Sequence, residues 1–406
     1  MTGEEPTPNP SLQGGEHDLR DSVTSKSSVE ATRAVTAFSS GKGDGGLGGI
    51  ETVRPNIRAM AGYVPGEQLN DPDIIKLNTN ESPYPPSPRV FDALRAALTS
   101  NSLRKYPQPF GDTFRNAAGR VLNVDPDSIL IGNGSDDILT ILTRAFVPEG
   151  GLIASPAPSY ILYKSLAEIQ GARFHAIPFT HDWRTDRDSW PRGASLSFVP
   201  NPNSPTGTVL DPIDVLRLSK RVSPNPLVVD EAYADFAEPP GYVPLVADWD
   251  NLIVTRTFSK SYALAGIRFG FAVARPELVR ELLKVKDSYN CDVLSLAAAT
   301  AAIEDQDYFR EVRTKIIATR ARMTRELAAL GFEVTPSHAN FVWCRRADKP
   351  LKPIYEELKR QKILVRYMNY PVGPIGSPPG AYDGLRMSVG TDAEIDRLLE
   401  ELRGIV

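Results

Sequence analysis

The chain of 406 residues is poor in the residues that build disulfide scaffolds and metal centres. It contains only two cysteines, Cys291 and Cys344, and four scattered histidines. Two distant cysteines cannot form a disulfide framework, and the histidines match no metal-ligand spacing. We therefore expect no metal site, and the low thiol content favours a reducing compartment.

The chain also lacks a long apolar run and a strong excess of either charge. No stretch approaches the roughly 20 apolar residues that cross a bilayer. The formal net charge of −4 provides no broad basic surface for nucleic acid. The first residues, MTGEEPTPNP, have neither the basic start nor the apolar core of a secretory signal. We expect a cytoplasmic protein without membrane or nucleic-acid partners.

The composition divides the chain into an irregular start and a globular remainder. Residues 1–50 are rich in Ser, Thr, Gly, Pro and charge and have almost no apolar periodicity. Such a segment cannot bury enough surface to offset its ordering entropy, which predicts a disordered extension. Hydrophobic residues make up 41% of the whole chain and charged residues 24%, as in globular proteins.

After this extension, apolar segments alternate with segments of helical periodicity. The strand candidates are GLIASP, ARFHAIPF, ASLSFVPNP, NPLVVDEAY, NLIVTRTFS and FGFAVA. Strands separated by helices predict an α/β fold with a mostly parallel sheet between helices. We expect residues 86–305 to form this large domain and residues 306–406 to form a smaller α+β domain. Residues 51–85 are expected to be an N-terminal segment that joins the small domain.

The motif LIGNGSDD is typical of a strand, a glycine turn and a helix start, with Ser135 and Asp136 as candidate N-caps. Glycines allow close backbone approach, and free N–H groups at a helix start favour an anion such as phosphate. By itself the motif is equally compatible with a plain connecting turn. It is neither GxGxxG nor a P-loop, so dinucleotide and nucleoside triphosphate sites are not indicated.

Three further polar residues follow apolar strands. Asp230 ends one strand, where a carboxylate needs a hydrogen-bonding or positive partner unless it caps a helix. Lys260 follows the next strand and is either an amine nucleophile or a solvated loop lysine. Arg268 is a second cation that can hold phosphate. Together these residues suggest one ligand with a phosphate, a ring nitrogen and an aldehyde, which describes pyridoxal phosphate.

Motifs from about residue 55 to residue 406 support this interpretation. They are LNTNESPYPPSP, KYPQPFGD, LIGNGSDD, PAPSYILY, VPNPNSPTG, VVDEAYADF, TRTFSKSYALAGIRFGFAVA, HANFVWC, ILVRY and GLRMSVGT. In these motifs and their order the chain resembles the fold-type I pyridoxal-phosphate aminotransferases, and most closely the histidinol-phosphate aminotransferase group.

The resemblance implies a role for each matching residue. Lys260 corresponds to the lysine that forms the Schiff base and shuttles the proton between Cα and C4′. Asp230 corresponds to the acid that pairs with the pyridine nitrogen, and Tyr233 to the tyrosine that hydrogen-bonds the 3′ oxygen. The family's phosphate cradle corresponds to Ser259, Arg268 and the backbone at Ser135 and Asp136. The aromatic that stacks on the ring corresponds to Tyr160, and the tyrosine that reaches the neighbouring subunit of a homodimer corresponds to Tyr84.

Two positions depart from the family pattern. An asparagine often precedes the proline of the Pro-Thr-Gly motif and contacts the ring oxygen, but this chain has Ser204 there, preceded by Asn203. Either residue could supply the contact, and we favour Asn203. The family's phosphate turn usually ends in glutamate, where this chain has the shorter Asp137.

For the substrate, the resemblance implies two arginines. Arg386 corresponds to the arginine that binds a carboxylate in amino-acid aminotransferases, and Arg366 to a second one that helps hold a phosphate. Tyr63 and Asn340 resemble further positions near the substrate. The implied reaction moves an amino group between L-histidinol phosphate and 2-oxoglutarate, giving imidazole acetol phosphate and L-glutamate in histidine biosynthesis.

Three alternatives share parts of this pattern. A threonine-phosphate decarboxylase-like lyase has nearly the same motifs, and an aromatic amino-acid aminotransferase differs only in its pocket walls. A ligand-sensing regulator with this fold needs an N-terminal DNA-binding domain, for which residues 1–50 offer neither helices nor a basic patch.

Overall fold

The computed structural model describes residues 51–62, 67, 71–238, 241–371, 373–377 and 382–406. Residues 55–406 form one compact unit. The predicted extension of residues 1–50 and the candidate residue Tyr63 lie outside the described residues. No helix in the described ranges is both long enough and apolar enough to cross a membrane.

Strands and helices are distributed along the whole of this unit. The strands are β1 (Ile75–Lys76), β2 (Ile129–Gly132), β3 (Leu152–Ala157), β4 (Arg173–Pro178), β5 (Leu196–Pro200), β6 (Leu227–Asp230), β7 (Leu252–Thr257), β8 (Gly270–Val273), β9 (Glu333–Thr335), β10 (Phe341–Arg345), β11 (Ile363–Leu364), β12 (Arg366–Tyr370) and β13 (Tyr382–Ser388). The α-helices are α1 (Pro55–Ala59), α2 (Pro88–Ala97), α3 (Ser100–Leu103), α4 (Asp112–Leu122), α5 (Ser135–Phe146), α6 (Leu162–Gln170), α7 (Pro212–Val222), α8 (Pro276–Leu282), α9 (Val293–Glu304), α10 (Gln306–Ala329), α11 (Leu351–Arg360) and α12 (Asp392–Ile405).

The largest sheet has seven strands in the order β2-β8-β7-β6-β5-β3-β4. The strands from β3 to β7 pair in parallel. Strand β8 is antiparallel to both of its neighbours, β2 and β7. The predicted α/β fold with a mostly parallel sheet between helices is therefore confirmed, with β8 as the exception. The connection from β7 to β8, residues 258–269, contains no α-helix that would carry the chain back across the sheet to begin a parallel strand.

Both faces of this sheet are covered, as its near-continuous apolar strands predict. Along β6, Leu227 and Val229 join one apolar cluster, whereas Val228 joins a second. Along β7, Leu252 and Ile253 divide between the same two clusters. Since successive side chains of a strand point to opposite faces, each face of the sheet has its own core.

Two smaller sheets complete the fold. An antiparallel sheet has the order β12-β13-β10-β9, and β1 pairs in parallel with β11. The β1–β11 pair connects the segment before α2 to the C-terminal part of the chain, and Leu77 belongs to the same buried apolar cluster as Met323 and Leu327 of α10. The division into a large and a small domain at residue 306 stays a prediction.

Candidate active site

The polar residues singled out in the sequence lie at one edge of the seven-stranded sheet. Strands β2, β6 and β7 run in the same direction and end at Gly132, Asp230 and Thr257. Strand β8 runs in the opposite direction and begins at this edge, two residues after Arg268. Ligands of open α/β sheets bind outside the carboxyl ends of the strands, so this edge is the candidate site.

The turn between β2 and α5 exposes the start of a helix. Its N-cap is Gly134, with φ +80°, and no side chain caps the helix. The prediction that Ser135 or Asp136 is the N-cap is therefore wrong, because both residues already lie within α5. A Cβ atom at Gly134 would lie 2.6 Å from Nη2 of Arg268. Glycine thus lets a guanidinium group approach a helix start that carries a partial positive charge, which is an arrangement that suits an anion.

Arg268 is the centre of a small polar group at this helix start. Its Nη1 atom donates hydrogen bonds to Ser259 Oγ and to the carbonyl of Ala265, both at 3.3 Å. Its Nη2 atom lies 3.5 Å from Asp136 Oδ2. The hydroxyl of Tyr160 donates to the other oxygen of Asp136 at 3.2 Å. The structure therefore brings four of the predicted cofactor residues together around one helix end.

Asp230 is buried and is held by neutral donors. The hydroxyl of Tyr163 donates to Asp230 Oδ2 at 2.7 Å, and the backbone N–H of Ala232 donates to Oδ1 at 3.1 Å. Burial raises the pKa of Asp230 above its ordinary value, although both hydrogen bonds lower it. The ring of Tyr163 is stacked on Phe198 and meets Tyr160 edge to face. The carboxylate is thus fixed in position by hydrogen-bond donors that carry no positive charge.

Lys260 lies beside Tyr233 in the connection that follows β7. Its Nζ atom donates to the carbonyl of Thr79 at 3.0 Å and lies 5.9 Å from the centre of the Tyr233 ring. Tyr233 packs edge to face on Phe341 and accepts a hydrogen bond from Asn80 Nδ2 at 3.0 Å. Residues from before α2 therefore contact the candidate lysine and tyrosine directly.

The two candidate substrate arginines are direct partners across neighbouring strands. Arg366 of β12 lies opposite Arg386 of β13. Arg386 donates to Ser204 Oγ and to the carbonyl of Asn78, both at 2.9 Å. Burial raises the pKa of the Tyr370 hydroxyl, and the charges of both arginines act to lower it. Opposed residues of an antiparallel pair point to one face of the sheet, so two positive charges meet there.

Asn203 and Asn340 are both buried near this group. Asn203 Nδ2 donates to the carbonyl of Pro158 at 3.3 Å and to Thr206 Oγ1 at 3.0 Å. Asn340 Nδ2 donates to the carbonyl of Asn80 at 3.0 Å. The side-chain oxygens of Asn203 and Asn340 are buried and have no hydrogen-bond partner within the described part of the chain.

Tyr84 has a different environment from the other candidates. Its ring lies 5.5 Å from Lys315 Nζ and packs against a small apolar cluster that includes Val312 and Ile316 of α10. Burial raises the pKa of its hydroxyl. Within its own chain, Tyr84 therefore packs against α10.

Sequence reasoning missed three residues that support the site. Tyr163 lies in the first turn of α6, three residues after the predicted stacking residue Tyr160, and this proximity could have drawn attention to it. Asn80 lies inside the motif LNTNESPYPPSP, but its contact is made 153 residues away. Asn290 Nδ2 donates to Asp137 Oδ2 at 2.8 Å, and that oxygen also accepts the N–H of Asn133. No local pattern connects Asn290 to the glycine turn.

The site fits pyridoxal phosphate on two observations of its own geometry. A protonated ring nitrogen would supply the positive charge that the buried carboxylate of Asp230 otherwise lacks, which accounts for an acid in that position. The absence of a side chain at Gly134 leaves Arg268 over the uncapped start of α5, where a phosphate would meet both cationic and N–H donors.

Comparison with known proteins agrees with this geometry. A family model described as aminotransferase class I and II matches residues 72–402. Histidinol-phosphate aminotransferase from Rhodopirellula baltica is 50% identical over 346 residues, which are 84% of this chain and 92% of that protein. The histidinol-phosphate aminotransferase of Geotalea daltonii is 44% identical over 351 residues, which are 86% of this chain and 98% of that protein.

A solved structure is similar over nearly the same region. The crystal structure of histidinol-phosphate aminotransferase from Sinorhizobium meliloti in complex with pyridoxal-5'-phosphate has a TM-score of 0.76 and 29% sequence identity. The match covers 87% of this chain and 98% of that one. Both the sequence and the architecture of its described residues show that this chain belongs to the class I and II aminotransferase family.

Proposed function

We propose that this chain is a pyridoxal-phosphate-dependent aminotransferase that moves an amino group between L-histidinol phosphate and 2-oxoglutarate. The products are imidazole acetol phosphate and L-glutamate, as in histidine biosynthesis. Two relatives that are 50% and 44% identical carry the name histidinol-phosphate aminotransferase. The observation in the structure that carries the substrate assignment is the direct pairing of Arg366 with Arg386.

The arginine pair suits a phosphate group better than a carboxylate. Like charges directly opposite on a sheet repel each other by roughly 0.2–1 kcal/mol. A dianion between Arg366 and Arg386 replaces this repulsion with attraction to both groups, and each guanidinium can form two parallel hydrogen bonds. A carboxylate carries one charge and engages one such fork. The pair therefore favours a phosphorylated substrate over an aromatic amino acid.

The bound cofactor would supply an electron sink for the carbon atom that loses its proton. Lys260 would hold its carbonyl carbon, and Asp230 would keep its ring nitrogen protonated. The start of α5, Ser259 and Arg268 would bind its phosphate, and Tyr160 would cover its ring. Once the amine of the substrate has displaced it, the free Lys260 Nζ would be the base that takes the proton from the amine-bearing carbon and would then carry that proton as an acid.

Ser204 is a better candidate than Asn203 for the contact to the ring oxygen. The amide nitrogen of Asn203 is already engaged by the carbonyl of Pro158, in the loop after β3, and by Thr206 Oγ1. The hydroxyl of Ser204 accepts its hydrogen bond from Arg386, so its own hydrogen is free to be donated. This arrangement would link the substrate-binding arginine to the cofactor through one side chain.

A homodimer with shared active sites is also part of the proposal. Several large apolar side chains are exposed on residues 91–110 and at residue 289; they are Phe91, Leu98, Leu103, Tyr106, Phe110 and Tyr289. Tyr106 is 79% exposed and stacks on Tyr289 at 4.5 Å. A second copy of the chain would remove this surface from water. Since Tyr84 packs on its own chain, Tyr106 is the stronger candidate for a tyrosine that reaches the partner's site.

The deciding experiment is a substrate panel with the purified enzyme and its cofactor. L-Histidinol phosphate with 2-oxoglutarate should yield imidazole acetol phosphate and glutamate, and Lys260→Ala should abolish the reaction. Faster turnover of phenylalanine or tyrosine would support an aromatic aminotransferase instead. Carbon dioxide release from a phosphorylated amino acid would support a lyase.

A further inference from the structure

Asn80 is a buried residue whose polar groups are all engaged, and its partners are the candidate site residues Tyr233 and Asn340 together with Ser388 of β13. It is 1% exposed. Its Nδ2 atom donates to the hydroxyl oxygen of Tyr233 at 3.0 Å, and its Oδ1 atom accepts from Ser388 Oγ at 3.2 Å. Its backbone N–H donates to Ser388 Oγ at 2.8 Å, and its carbonyl accepts from Asn340 at 3.0 Å. This side chain therefore connects the end of β13 to Tyr233.

The backbone at Asn80 narrows the residue types that can stand there. Its φ of +57° lies in the left-handed region, which few side chains other than asparagine and aspartate adopt readily. Glycine adopts this conformation but has no side chain to reach Tyr233. Aspartate adopts it too, but an ionised carboxylate cannot donate a hydrogen bond. An amide donor in a left-handed backbone position thus calls for asparagine.

The hydrogen-bond network also determines which way the Asn80 amide faces. In the orientation described, Ser388 Oγ accepts the backbone N–H of Asn80 and donates its own hydrogen to Oδ1. If the amide were flipped, Ser388 would accept twice. Its hydroxyl hydrogen, which is buried, would then have no acceptor among the described residues. Because an unmatched buried donor costs about 1–3 kcal/mol, the amide nitrogen faces Tyr233.

We propose that Asn80 is a positioning residue that makes Tyr233 a hydrogen-bond donor toward the cofactor. A phenol oxygen that accepts from Asn80 keeps its own hydrogen for another partner. Under the role proposed above for Tyr233, on which this inference rests, that partner is the cofactor's 3′ oxygen. Asn80 thereby determines the direction of the hydrogen bond as well as the position of the ring.

The test compares the pH midpoint of the bound cofactor's visible absorbance between the wild type and variants of Asn80, Tyr233 and their neighbours. A donor to the ring oxygen stabilises its deprotonated form, so loss of that donor raises the midpoint. Tyr233→Phe should raise it by roughly one unit, the size expected for one hydrogen bond to a charged oxygen. Asn80→Asp should raise it similarly, because the carboxylate would attract the phenolic hydrogen. Asn80→Gly, which keeps the backbone conformation, should give a smaller rise.

The double variant Asn80→Asp/Tyr233→Phe separates this proposal from a simple charge effect. If Asn80 acts through Tyr233, the double variant should match Tyr233→Phe alone. Additive shifts would overturn the proposal, because the new carboxylate would then act without the tyrosine. Asn78→Ala is the matched control, since Asn78 is equally buried in the same segment but its amide donates to the carbonyl of Glu67. Its midpoint should match that of the wild type.

Two further measurements keep the outcomes distinct. Thermal unfolding of the cofactor-free variants reports whether a change is merely structural, and fluorescence titration gives the cofactor's Kd. If Asn80→Asp does not fold, Ser388→Ala takes its place in the test. This variant removes the hydroxyl that orients the Asn80 amide, and it should also raise the midpoint. If the midpoint shifts in Tyr233→Phe but not in the folded Asn80 and Ser388 variants, the proposed role of Asn80 is overturned and that of Tyr233 stands. No shift in Tyr233→Phe would overturn the proposed role of Tyr233 and the inference with it.

Discussion

The hydroxyl of Tyr163 donates a hydrogen bond of 2.7 Å to the carboxylate of Asp230, and both side chains are buried. The phenol ring is held by stacking on Phe198, with ring centroids 4.7 Å apart and an angle of 11° between the planes. Burial raises the pKa of Asp230, and the hydrogen bond lowers it only in part. The acid is therefore oriented by the protein, while the positive charge that stabilises its ionised form is left to the ligand.

Asp230→Asn should stabilise the cofactor-free enzyme at neutral pH and weaken cofactor binding. A carboxyl group whose pKa is raised in the folded state favours folding below its unfolded pKa of about 4 and loses that contribution as pH rises through the folded value. The amide has no such loss. Thermal unfolding of both cofactor-free proteins at about pH 7 and about pH 4 should show a difference that shrinks on acidification.

The exposed variant Asp307→Asn serves as the control for this experiment and should leave the unfolding temperature nearly unchanged at both pH values, because its carboxylate is exposed to solvent. A cofactor-free Asp230→Asn protein that unfolds below the wild type at neutral pH would contradict the prediction.

Arg256→Met should destabilise the enzyme by about 3–5 kcal/mol, measured by urea unfolding of the cofactor-free protein. Arg256 lies 2.6 Å from Glu231 and 2.8 Å from Asp235, and Glu231 is 2% exposed. Removal of the guanidinium leaves a buried carboxylate uncompensated. Adding Glu231→Gln should restore part of the loss, which a purely steric explanation does not predict.

The matched control is Arg310→Met on the surface of α10. Its ion pair with Asp307 is exposed, so its loss should cost less than about 1 kcal/mol. Equal losses in the two methionine variants would argue against a special contribution from the buried pair.

Arg366→Gln should raise KM for L-histidinol phosphate by about 10- to 100-fold, the equivalent of one lost charge-assisted hydrogen bond. Because the change also removes a positive charge opposite Arg386, the unfolding temperature of the cofactor-free protein should not fall. Steady-state kinetics and thermal unfolding provide the two readouts. Arg366→Lys keeps the charge and should recover part of the affinity; a KM unaffected by either substitution would remove Arg366 from the substrate site.

Tyr106→Ala and Lys260→Ala should each be weakly active or inactive alone and should complement each other when mixed. If Tyr106 contributes to the partner's site, a mixed dimer contains one site with both residues intact. Random exchange of subunits would then restore about a quarter of the wild-type sites. The measurement is transaminase activity after the two variants are co-refolded.

Tyr84 provides the comparison for that experiment. The ring of Tyr84 packs beside Lys315 and α10 of the same chain. The activity of Tyr84→Phe should therefore not depend on the partner subunit, and mixing this variant with Lys260→Ala should restore no active sites. If Tyr84→Ala complements Lys260→Ala and Tyr106→Ala does not, then Tyr84 rather than Tyr106 contributes to the partner's active site.

Much of the fold and of the cofactor group could be predicted from local patterns. Apolar strands that alternate with helices indicated the parallel sheet, because burial on both faces requires near-continuous apolar strands. Asp230 and Lys260 stood out because each is an ionisable group placed directly after such a strand, where burial needs compensation. Arg366 and Arg386 could be named from the family resemblance, but their direct opposition required the register of β12 and β13.

The sequence by itself determined the order of strands and helices and the polar residues at strand ends, because periodicity and chemical type are local properties of the chain. Only the tertiary structure decided that Arg268 approaches Gly134 at the start of α5, that β8 runs antiparallel, and that Asn80 contacts Tyr233. These features depend on distances between segments far apart in the chain, and on which surfaces other segments cover. A pattern read along the chain carries no such distances, so they emerge only when the chain is packed.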